Sequence, residues 1–236
     1  MRLIAWNANF NNRRRTLEQT AALLAPLHAD IYVLSEVPPP SEGNPLNAKW
    51  MGDKAPGLAV FARDGLTLDA HPANDGAPTL MGGFNVGGEL NFSLLAVWPV
   101  QRKDAPTYHE ILMTGLDRFS ELLKCDNAIM AGDFNSNTRV SFQERTHPQF
   151  VAAAETFGLE SAYHLQTGEL HGQETVATYR HRLSDDELFH LDYCFVSRKL
   201  ARSANLSVLR SAYWAQLSDH YPVVIDLPDA VLRASL

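Results

Sequence analysis

The chain has 236 residues, of which 45% are hydrophobic and 20% are charged, a composition that excludes a disordered protein. The 27 acidic residues outnumber the 20 basic ones, and the formal net charge of −7 excludes a generally basic surface for nucleic acid. Any contact with a polyanion must therefore be local or mediated by a metal ion.

The chain offers no apolar run of membrane-spanning length, and its N-terminal apolar stretch is too short for a signal peptide. We therefore expect a cytoplasmic protein without membrane contact, and nothing in the sequence indicates an obligate protein partner. Cys125 and Cys194 lie in apolar contexts and form no CxxC pair, so we predict two reduced, mostly buried thiols.

Short apolar runs recur along the chain and are separated by a few helical patterns. Their length and their β-branched and aromatic content predict strands at 3–6, 31–34, 58–61, 92–98, 128–131, 191–196, 206–209 and 221–227. Apolar periodicity predicts helices at 16–28, 107–124 and 148–157, the first with a capping box of Thr16 and Gln19. The proline-rich stretch 37–47 and the glycine-rich stretch 81–88 are typical of surface loops.

Neither a repeat nor a linker interrupts this pattern, which indicates a single domain over residues 1–236. Many strands with few helices favour a sheet packed on a sheet, with the helices outside.

Polar residues suited to metal and phosphate chemistry stand where the predicted strands begin or end. They are Asn7, Glu36, Asp133, Asn135, His190, Asp192, Asp219 and His220. Each position alone has an ordinary explanation, because a Gly-Asp-x-Asn sequence is a common turn and a glutamate at a strand end is often a loop residue. Carboxylates and amides at strand ends are costly to bury unless something pairs them, and a hard divalent cation takes such oxygen ligands.

The order and spacing of the whole set resemble the endonuclease/exonuclease/phosphatase superfamily, the deoxyribonuclease I-like and exonuclease III-like hydrolases. The resemblance runs from Trp6-Asn7 to the segment 218–222 and is most specific at 132–135 and 218–220. It implies an α/β (α+β) fold, a four-layer sandwich of two mixed β-sheets face to face and flanked by helices. It also implies Mg²⁺ or Mn²⁺ dependence and attack of water on phosphorus at one end of the sandwich.

The resemblance also implies a role for each matched residue. Glu36 corresponds to the principal metal ligand, with Asn7 and Asp219 nearby. Asp133 corresponds to the residue that orients or deprotonates the attacking water, and Asn135 to one that holds a phosphate oxygen.

The remaining matched residues concern the phosphate. His220 corresponds to the residue that bonds to the phosphate, and Asp192 to one that orients a catalytic or metal-bound group. His190 should share the face of Asp192, so a phosphate contact and a structural hydrogen bond are both open for it. Arg13 begins a run of three arginines before a helix N-terminus, where positive charge is disfavoured. A phosphate contact by Arg13 competes with the more ordinary interpretation, a solvated charge run.

The sequence departs from the family at one position. Many relatives carry a second active-site histidine or a tyrosine where this chain has Trp98, and indole cannot act as an acid at neutral pH. Protonation of the leaving group then falls to a metal-bound water, or to Tyr108, His109 or His164. We count Trp98 and His164 among the candidate substrate-binding residues.

These observations favour an enzyme that hydrolyses a phosphodiester in DNA or RNA. A phosphoesterase of small esters, such as nucleotides, cyclic nucleotides or inositol phosphates, is the alternative that the acidic charge supports. A catalytically inactive binding module is a third hypothesis, supported by Trp98 alone. The nine histidines show no HxH or HExxH spacing, which argues against a zinc site.

Overall fold

The computed structural model describes residues 1–76, 80–101, 103 and 106–233. Its strands are β1 (Arg2–Asn7), β2 (Ile31–Val37), β3 (Lys49–Met51), β4 (Gly57–Ala62), β5 (Leu66–Ala70), β6 (Met81–Gly88), β7 (Phe92–Val97), β8 (Ala128–Asp133), β9 (Leu159–Ser161), β10 (Tyr179–Arg180), β11 (Leu188–Phe189), β12 (Asp192–Ser197), β13 (Asn205–Val208) and β14 (Val223–Asp226). Its helices are α1 (Phe10–Arg13), α2 (Leu17–Leu24), α3 (Tyr108–Arg118), α4 (Ser120–Leu123), α5 (Thr146–Thr156), α6 (Ala162–Thr167), α7 (Arg198–Ala201) and α8 (Ala212–Leu217).

The strands form two six-stranded sheets, one in the order β13-β14-β1-β2-β4-β3 and the other in the order β5-β6-β7-β8-β12-β9. In the first sheet β1 is parallel to β2 and antiparallel to β14. In the second sheet β7 is parallel to β8, and β8 is antiparallel to β12. Both sheets are therefore mixed, as the resemblance predicted.

Side-chain alternation along each strand builds three apolar cores. In β1, Leu3 and Ala5 join the core between the two sheets, whereas Ile4 and Trp6 pack into the core beneath α2. The outer face of the second sheet forms a third core with α3, α4 and α5. The layers are thus helices, sheet, sheet and helices, and the predicted four-layer sandwich is confirmed.

The glycine-rich stretch 81–88 is the strand β6, buried at 81–84 and at Val86, so its prediction as a surface loop was wrong. A Cβ on Gly82 would come within 2.1 Å of Sδ of Met51, and one on Gly83 within 2.8 Å of the Phe119 ring. These glycines let the flanking side chains approach the strand closely, a use of glycine that resembles a loop signal in the sequence.

The predicted helices are present, with changes at their ends. The first has the expected capping box, in which the Thr16 hydroxyl accepts from the backbone N–H of Gln19. The second is interrupted at Phe119, which separates α3 from α4. Both cysteines are free, but Cys125 is exposed, which corrects its predicted burial; Cys194 is buried. Within the described residues, no helix combines the length and apolarity needed to cross a membrane.

Candidate active site

The polar strand ends of the two sheets meet at one end of the sandwich. Asn7 ends β1, Glu36 lies one residue before the end of β2, and Asp133 ends β8. The Asn7 amide Nδ2 lies 3.1 Å from Oε1 of Glu36 and 2.9 Å from Oδ2 of Asp133. Because β1 and β2 belong to one sheet and β8 to the other, this single amide donates to a carboxylate from each sheet.

Local backbone geometry explains why glycine and asparagine flank Asp133. Gly132 has φ +144°, and a Cβ there would lie 2.0 Å from the carbonyl oxygen of Val97 on β7. Asn135 has φ +50°, a left-handed conformation that asparagine tolerates, and its backbone N–H donates to Oδ1 of Asp133 at 2.9 Å. The Gly-Asp-Phe-Asn sequence therefore forms a turn that also fixes the orientation of a buried carboxylate.

Glu36 also has a special backbone conformation. Its φ is +52°, and the pairing of β2 with β4 shifts register between Leu34 and Val37. Such irregularities change the direction in which a side chain at the end of a strand points. Here the carboxylate meets Asn7 and lines the adjoining cleft.

His220 and Asp192 form a buried pair beside Asp133. Nδ1 of His220 lies 2.8 Å from Oδ2 of Asp192, and Nε2 lies 3.9 Å from Oδ2 of Asp133. Hydrogen bonds also fix the backbone of His220: its N–H donates to Oγ of Ser218 at 3.0 Å, and its carbonyl accepts from Nε1 of Trp6 at 3.0 Å. Nδ1 is occupied by Asp192, and Nε2 is therefore the ring nitrogen that faces Asp133.

The charges in this site shift one another's pKa values. Burial opposes the imidazolium of His220, but Asp192 and Asp133 outweigh it and raise the pKa of His220 to about 10. Burial raises the pKa of Asp133 to about 7, although the nearby His220 acts in the opposite direction. Burial also raises the pKa of Glu36, against the hydrogen bond from Asn7. His220 is therefore a cation at neutral pH, able to donate a hydrogen bond to an anion.

Asp219 is positioned by residues that the sequence analysis did not assign. Its Oδ1 accepts from Nδ2 of Asn9 at 2.7 Å, and the backbone N–H of Asn9 donates to Oδ1 of Asn7 at 3.0 Å. Oγ of Ser218 donates to the carbonyl of Asn7 at 2.8 Å. The available signals were the two-residue spacing of Asn7 and Asn9 and the position of Ser218 directly before Asp219.

The donor set of the site fits a hard divalent cation. Its carboxylates, from Glu36, Asp133, Asp192 and Asp219, face one imidazolium, so negative charge is in excess. Among the described residues, Oδ1 of Asp192 has no hydrogen-bond partner although it is buried. Mg²⁺ and Mn²⁺ prefer such oxygen ligands, and a bound cation would offset the excess charge.

A cleft of about 340 Å³ adjoins these residues. Its lining includes Glu36, Asn135, Lys54, Tyr108 and Trp98, the last of which is only 5% exposed and packs into the core between the sheets. Burial raises the pKa of Tyr108, and the nearby Asp133 and Glu36 raise it further. The Tyr108 hydroxyl thus stays protonated at neutral pH and is available as a donor at the cleft.

Two candidate substrate-binding histidines, His164 and His190, do not line this cleft; for His190 the structure shows the structural hydrogen bond, one of the two interpretations that were open. Nδ1 of His164 bonds to Oγ of Ser161 at 2.7 Å, and its Nε2 lies 3.2 Å from Glu174. His190 bonds through Nδ1 to the carbonyl of Val176 at 2.8 Å, and its ring lies 6.1 Å from that of His164. Both belong to a second group of polar residues, which includes Glu174.

The arginine run divides into residues with different environments. Arg13 is half-buried at the end of α1, close in sequence to Asn11 of the cleft wall. Arg15 donates to the carbonyls of Ala8 and Leu217 at 2.9 and 2.8 Å and lies over the Trp6 ring. Arg15 therefore links the residue after β1 to the segment before Asp219. Only part of the arginine run is a solvated charge cluster.

Comparison with known proteins gives fold-level relatives. No family model and no curated protein sequence matches the chain. A 3′ phosphatase, NExo, from Neisseria, solved with a product DNA hairpin, is 19% identical with a TM-score of 0.71, over 97% of this chain and 99% of that one. An AP endonuclease from Archaeoglobus fulgidus is 15% identical with a TM-score of 0.68, over 96% and 99%. D. rerio TDP2, solved with a single-strand DNA product, is 13% identical with a TM-score of 0.67, over 97% and 98%. The chain thus shares its fold with these DNA-processing enzymes, which is the fold that the resemblance predicted.

Proposed function

We propose that this chain is a divalent-metal-dependent phosphoesterase that hydrolyses phosphate esters of DNA, or of RNA. One observation carries the proposal: the His220–Asp192 pair faces Asp133 at the junction of the two sheets, next to the Asn7–Glu36 contact. A cationic donor, a carboxylate of raised pKa and a surplus of oxygen ligands are the groups that phosphate ester hydrolysis needs.

The proposed reaction assigns one task to each of these groups. Glu36 and Asp219, with Asn7 nearby, would hold Mg²⁺ or Mn²⁺, and a bound ion would supply positive charge for the phosphate and its leaving oxygen. Asp133 orients the attacking water and accepts its proton, a role that suits a carboxyl whose pKa is about 7. His220 donates from Nε2 to a phosphate oxygen, and the Asn135 amide donates to another.

Asp192 acts through His220. Its Oδ2 accepts from Nδ1 at 2.8 Å, which fixes the ring orientation and keeps the imidazole protonated. This arrangement gives the site a fixed hydrogen-bond donor before the substrate arrives. Such preorganisation at a developing negative charge is among the largest single contributions to enzymatic rates.

Tyr108 is the proposed donor near the leaving group. It lines the cleft together with Glu36 and Asn135, whereas Trp98 offers one indole N–H and is almost fully buried. The raised pKa of Tyr108 keeps its hydroxyl proton in place for hydrogen bonding. In this proposal Tyr108 supplies the contact that the histidine of many relatives supplies.

A small phosphate ester is the second candidate substrate, and the electrostatics of the chain support it. The net charge is −7, and Lys54 is the only base among the described residues that line the cleft. Binding of a long polyanion usually draws on several Lys and Arg side chains and weakens steeply with salt. On the other hand, the NExo and TDP2 structures named above contain DNA products, which favours DNA.

The test is a hydrolysis screen on metal-stripped protein with Mg²⁺ or Mn²⁺ added back. The substrates are single- and double-stranded DNA and RNA oligonucleotides, 3′-phosphorylated DNA hairpins, and a panel of nucleotides, cyclic nucleotides and inositol phosphates. We expect DNA hydrolysis that Asp133→Asn abolishes and that falls steeply with salt. Activity confined to small esters, with weak salt dependence, selects the second candidate. Inactivity on every ester with both metals refutes a phosphoesterase and favours a binding module.

A further inference from the structure

A second group of metal-binding side chains lies outside the candidate active site. This histidine cluster consists of His147, His164, His171, His190 and Glu174. Its members come from α5, α6, the segment after α6 and the segment before β12, so no short sequence motif contains them. One ligand atom each from His164, His171 and Glu174 lies within 4.8 Å of the other two.

We propose that His164, His171 and Glu174 bind a borderline divalent transition-metal ion of the zinc class, next to the buried ring of His190. Imidazole nitrogens with one carboxylate form a donor set that suits zinc better than magnesium or calcium. The site is separate from the oxygen-rich site of Glu36 and Asp219, and the proposal does not depend on the function of that site.

The neighbouring His190 has a buried ring nitrogen without a hydrogen-bond partner among the described residues. Its Nδ1 lies 2.8 Å from the carbonyl oxygen of Val176, which can only accept, so Nδ1 carries the proton. Its Nε2 therefore presents a lone pair, and among the described residues this buried nitrogen has no partner. The residue is only 2% exposed, so solvent offers little compensation. A ring N–H fixed by a backbone carbonyl, with the other nitrogen free, is the usual arrangement of a metal-binding histidine.

The contact between His164 and Glu174 has the spacing of two ligands of one ion. Nε2 of His164 lies 3.2 Å from Oε1 of Glu174, while Nδ1 lies 2.7 Å from Oγ of Ser161. Ligands at roughly 2.0–2.1 Å from a tetrahedral ion lie roughly 3.3–3.4 Å from each other. With Nδ1 donating to Ser161, Nε2 of His164 has its lone pair on the side of the carboxylate.

His171 is oriented by a chain of hydrogen bonds. Its Nδ1 lies 2.9 Å from Nε2 of His147, whose Nδ1 lies 2.9 Å from Oγ of Ser136. In the tautomer in which both Nδ1 atoms donate, Nε2 of His171 is left with its lone pair. The rings of His164 and His171 stack with centroids 3.5 Å apart, which two imidazolium ions would not tolerate. His147 is thus a positioning residue for a neutral His171.

The cluster is accessible from the surface of the protein. A surface pocket of about 480 Å³, lined by His164 and His171, gives an ion a route to these donors.

The proposed ion is structural. Nδ2 of Asn137 donates to Glu174 and to the carbonyl of His190, both at 3.1 Å, so the cluster joins the segment after α6 to the start of β12. That segment continues to Thr178, whose Oγ1 accepts from the backbone N–H of Asp192 at 3.0 Å. An ion in the cluster would therefore stiffen the backbone that carries Asp192.

The experiment measures zinc binding to chelator-treated full-length protein in excess Mg²⁺. Titration calorimetry should show one tightly bound Zn²⁺ ion per protein chain. Co²⁺ should produce the visible absorption bands of a tetrahedral site with nitrogen and oxygen ligands. A hundredfold excess over Kd should raise Tm by roughly 5 °C or more. Glu174→Gln and His171→Ala should each weaken Zn²⁺ binding at least tenfold and remove the Co²⁺ bands.

Two variants serve as controls. His28→Asn removes an exposed histidine at φ +51°, where asparagine is tolerated, and should bind Zn²⁺ like the wild type. Asp133→Asn removes a carboxylate of the candidate active site and should also leave the single tight Zn²⁺-binding site intact. The proposal is overturned if the wild type binds no tight Zn²⁺, if Asp133→Asn abolishes binding, or if Glu174→Gln binds like the wild type. The Zn²⁺ binding of Glu174→Gln remains a valid test even if His171→Ala does not fold.

Discussion

Replacement of Asp192 by asparagine tests the electrostatic core of the proposed site. Asp192 is fully buried, and its Oδ2 lies 2.8 Å from Nδ1 of His220, whereas Asp133 lies 3.9 Å from Nε2. Asparagine has nearly the same shape and its Oδ1 still accepts from Nδ1. The substitution therefore removes the negative charge while it keeps the hydrogen-bond geometry.

The size of the effect follows from the pKa of His220. A rise from 6.5 to about 10 corresponds to roughly 5 kcal/mol in favour of the imidazolium, at about 1.4 kcal/mol for each pH unit. This value is the net of the cost of burial and the opposing contributions of Asp192, Asp133 and Asp219, among which the closer, hydrogen-bonded Asp192 contributes most. We expect Asp192→Asn to bring the pKa of His220 at least two pH units closer to neutrality.

The same shift predicts how stability depends on pH in the metal-free protein. The folded-state pKa of His220 lies above its unfolded value, so its stabilising contribution is complete below about pH 6.5 and is lost as pH rises towards 10. Asp192→Asn should therefore lower the free energy of unfolding most at pH 6, by roughly 2–4 kcal/mol. The difference from the wild type should shrink steadily as the pH rises.

Three measurements check this reasoning: an NMR titration of the His220 ring, urea unfolding at several pH values, and kcat on the substrate found in the screen. Loss of a positioned cationic donor should reduce kcat by roughly 10²–10⁴ at neutral pH. Asp117→Asn, at an exposed helix position, is the matched control. A variant whose His220 pKa stays above 9, or whose kcat stays within about threefold of the wild type, would refute the assignment.

Three further predictions concern other parts of the site. Gly132→Ala should destabilise the protein by about 3 kcal/mol or more and lower Tm by roughly 6–12 °C, because its Cβ would meet the Val97 carbonyl at 2.0 Å. Calorimetry should show a much smaller change for Gly158→Ala, whose Cβ meets nothing within 4 Å. Glu36→Gln should raise the Mg²⁺ concentration for half-maximal activity at least tenfold, and an unchanged metal titration would remove Glu36 from the ligand set. Tyr108→Phe should lower kcat roughly 10–100-fold with little change in Tm. Full activity of this variant would show that another residue donates to the leaving group.

The location of the site was predictable because it follows from strand ends. Asn7, Glu36 and Asp133 each end an apolar run, and in a two-sheet sandwich the ends of neighbouring parallel strands meet on one edge. The contact of Asn7 with both carboxylates required the two sheets to be packed face to face, which the resemblance supplied and the apolar pattern alone did not.

Features that depend on close packing or on loops were not predictable in this way. The glycines at 82 and 83 give the same signal in a tight strand as in a loop, and only the positions of Met51 and Phe119 distinguish the two. The position of His164 also depends on tertiary packing. It was expected near the phosphate, but it lies in α6 and contacts Ser161 and Glu174. A search for local zinc motifs could not find a cluster assembled from four separate elements.

The geometry of the candidate active site also links its chemistry to its stability. Burial raises the pKa values of Asp133 and Glu36, so at neutral pH these carboxylates are held in a place that disfavours their charged forms. The three apolar cores must offset this cost, because His220 is the only cation that contacts Asp133 among the described residues. A bound divalent cation would relieve the same repulsion, so metal binding and folding should be coupled in this protein. The feature that makes the site reactive, a concentration of poorly solvated carboxylates at the sheet junction, is therefore also the feature that makes its metal-free state less stable.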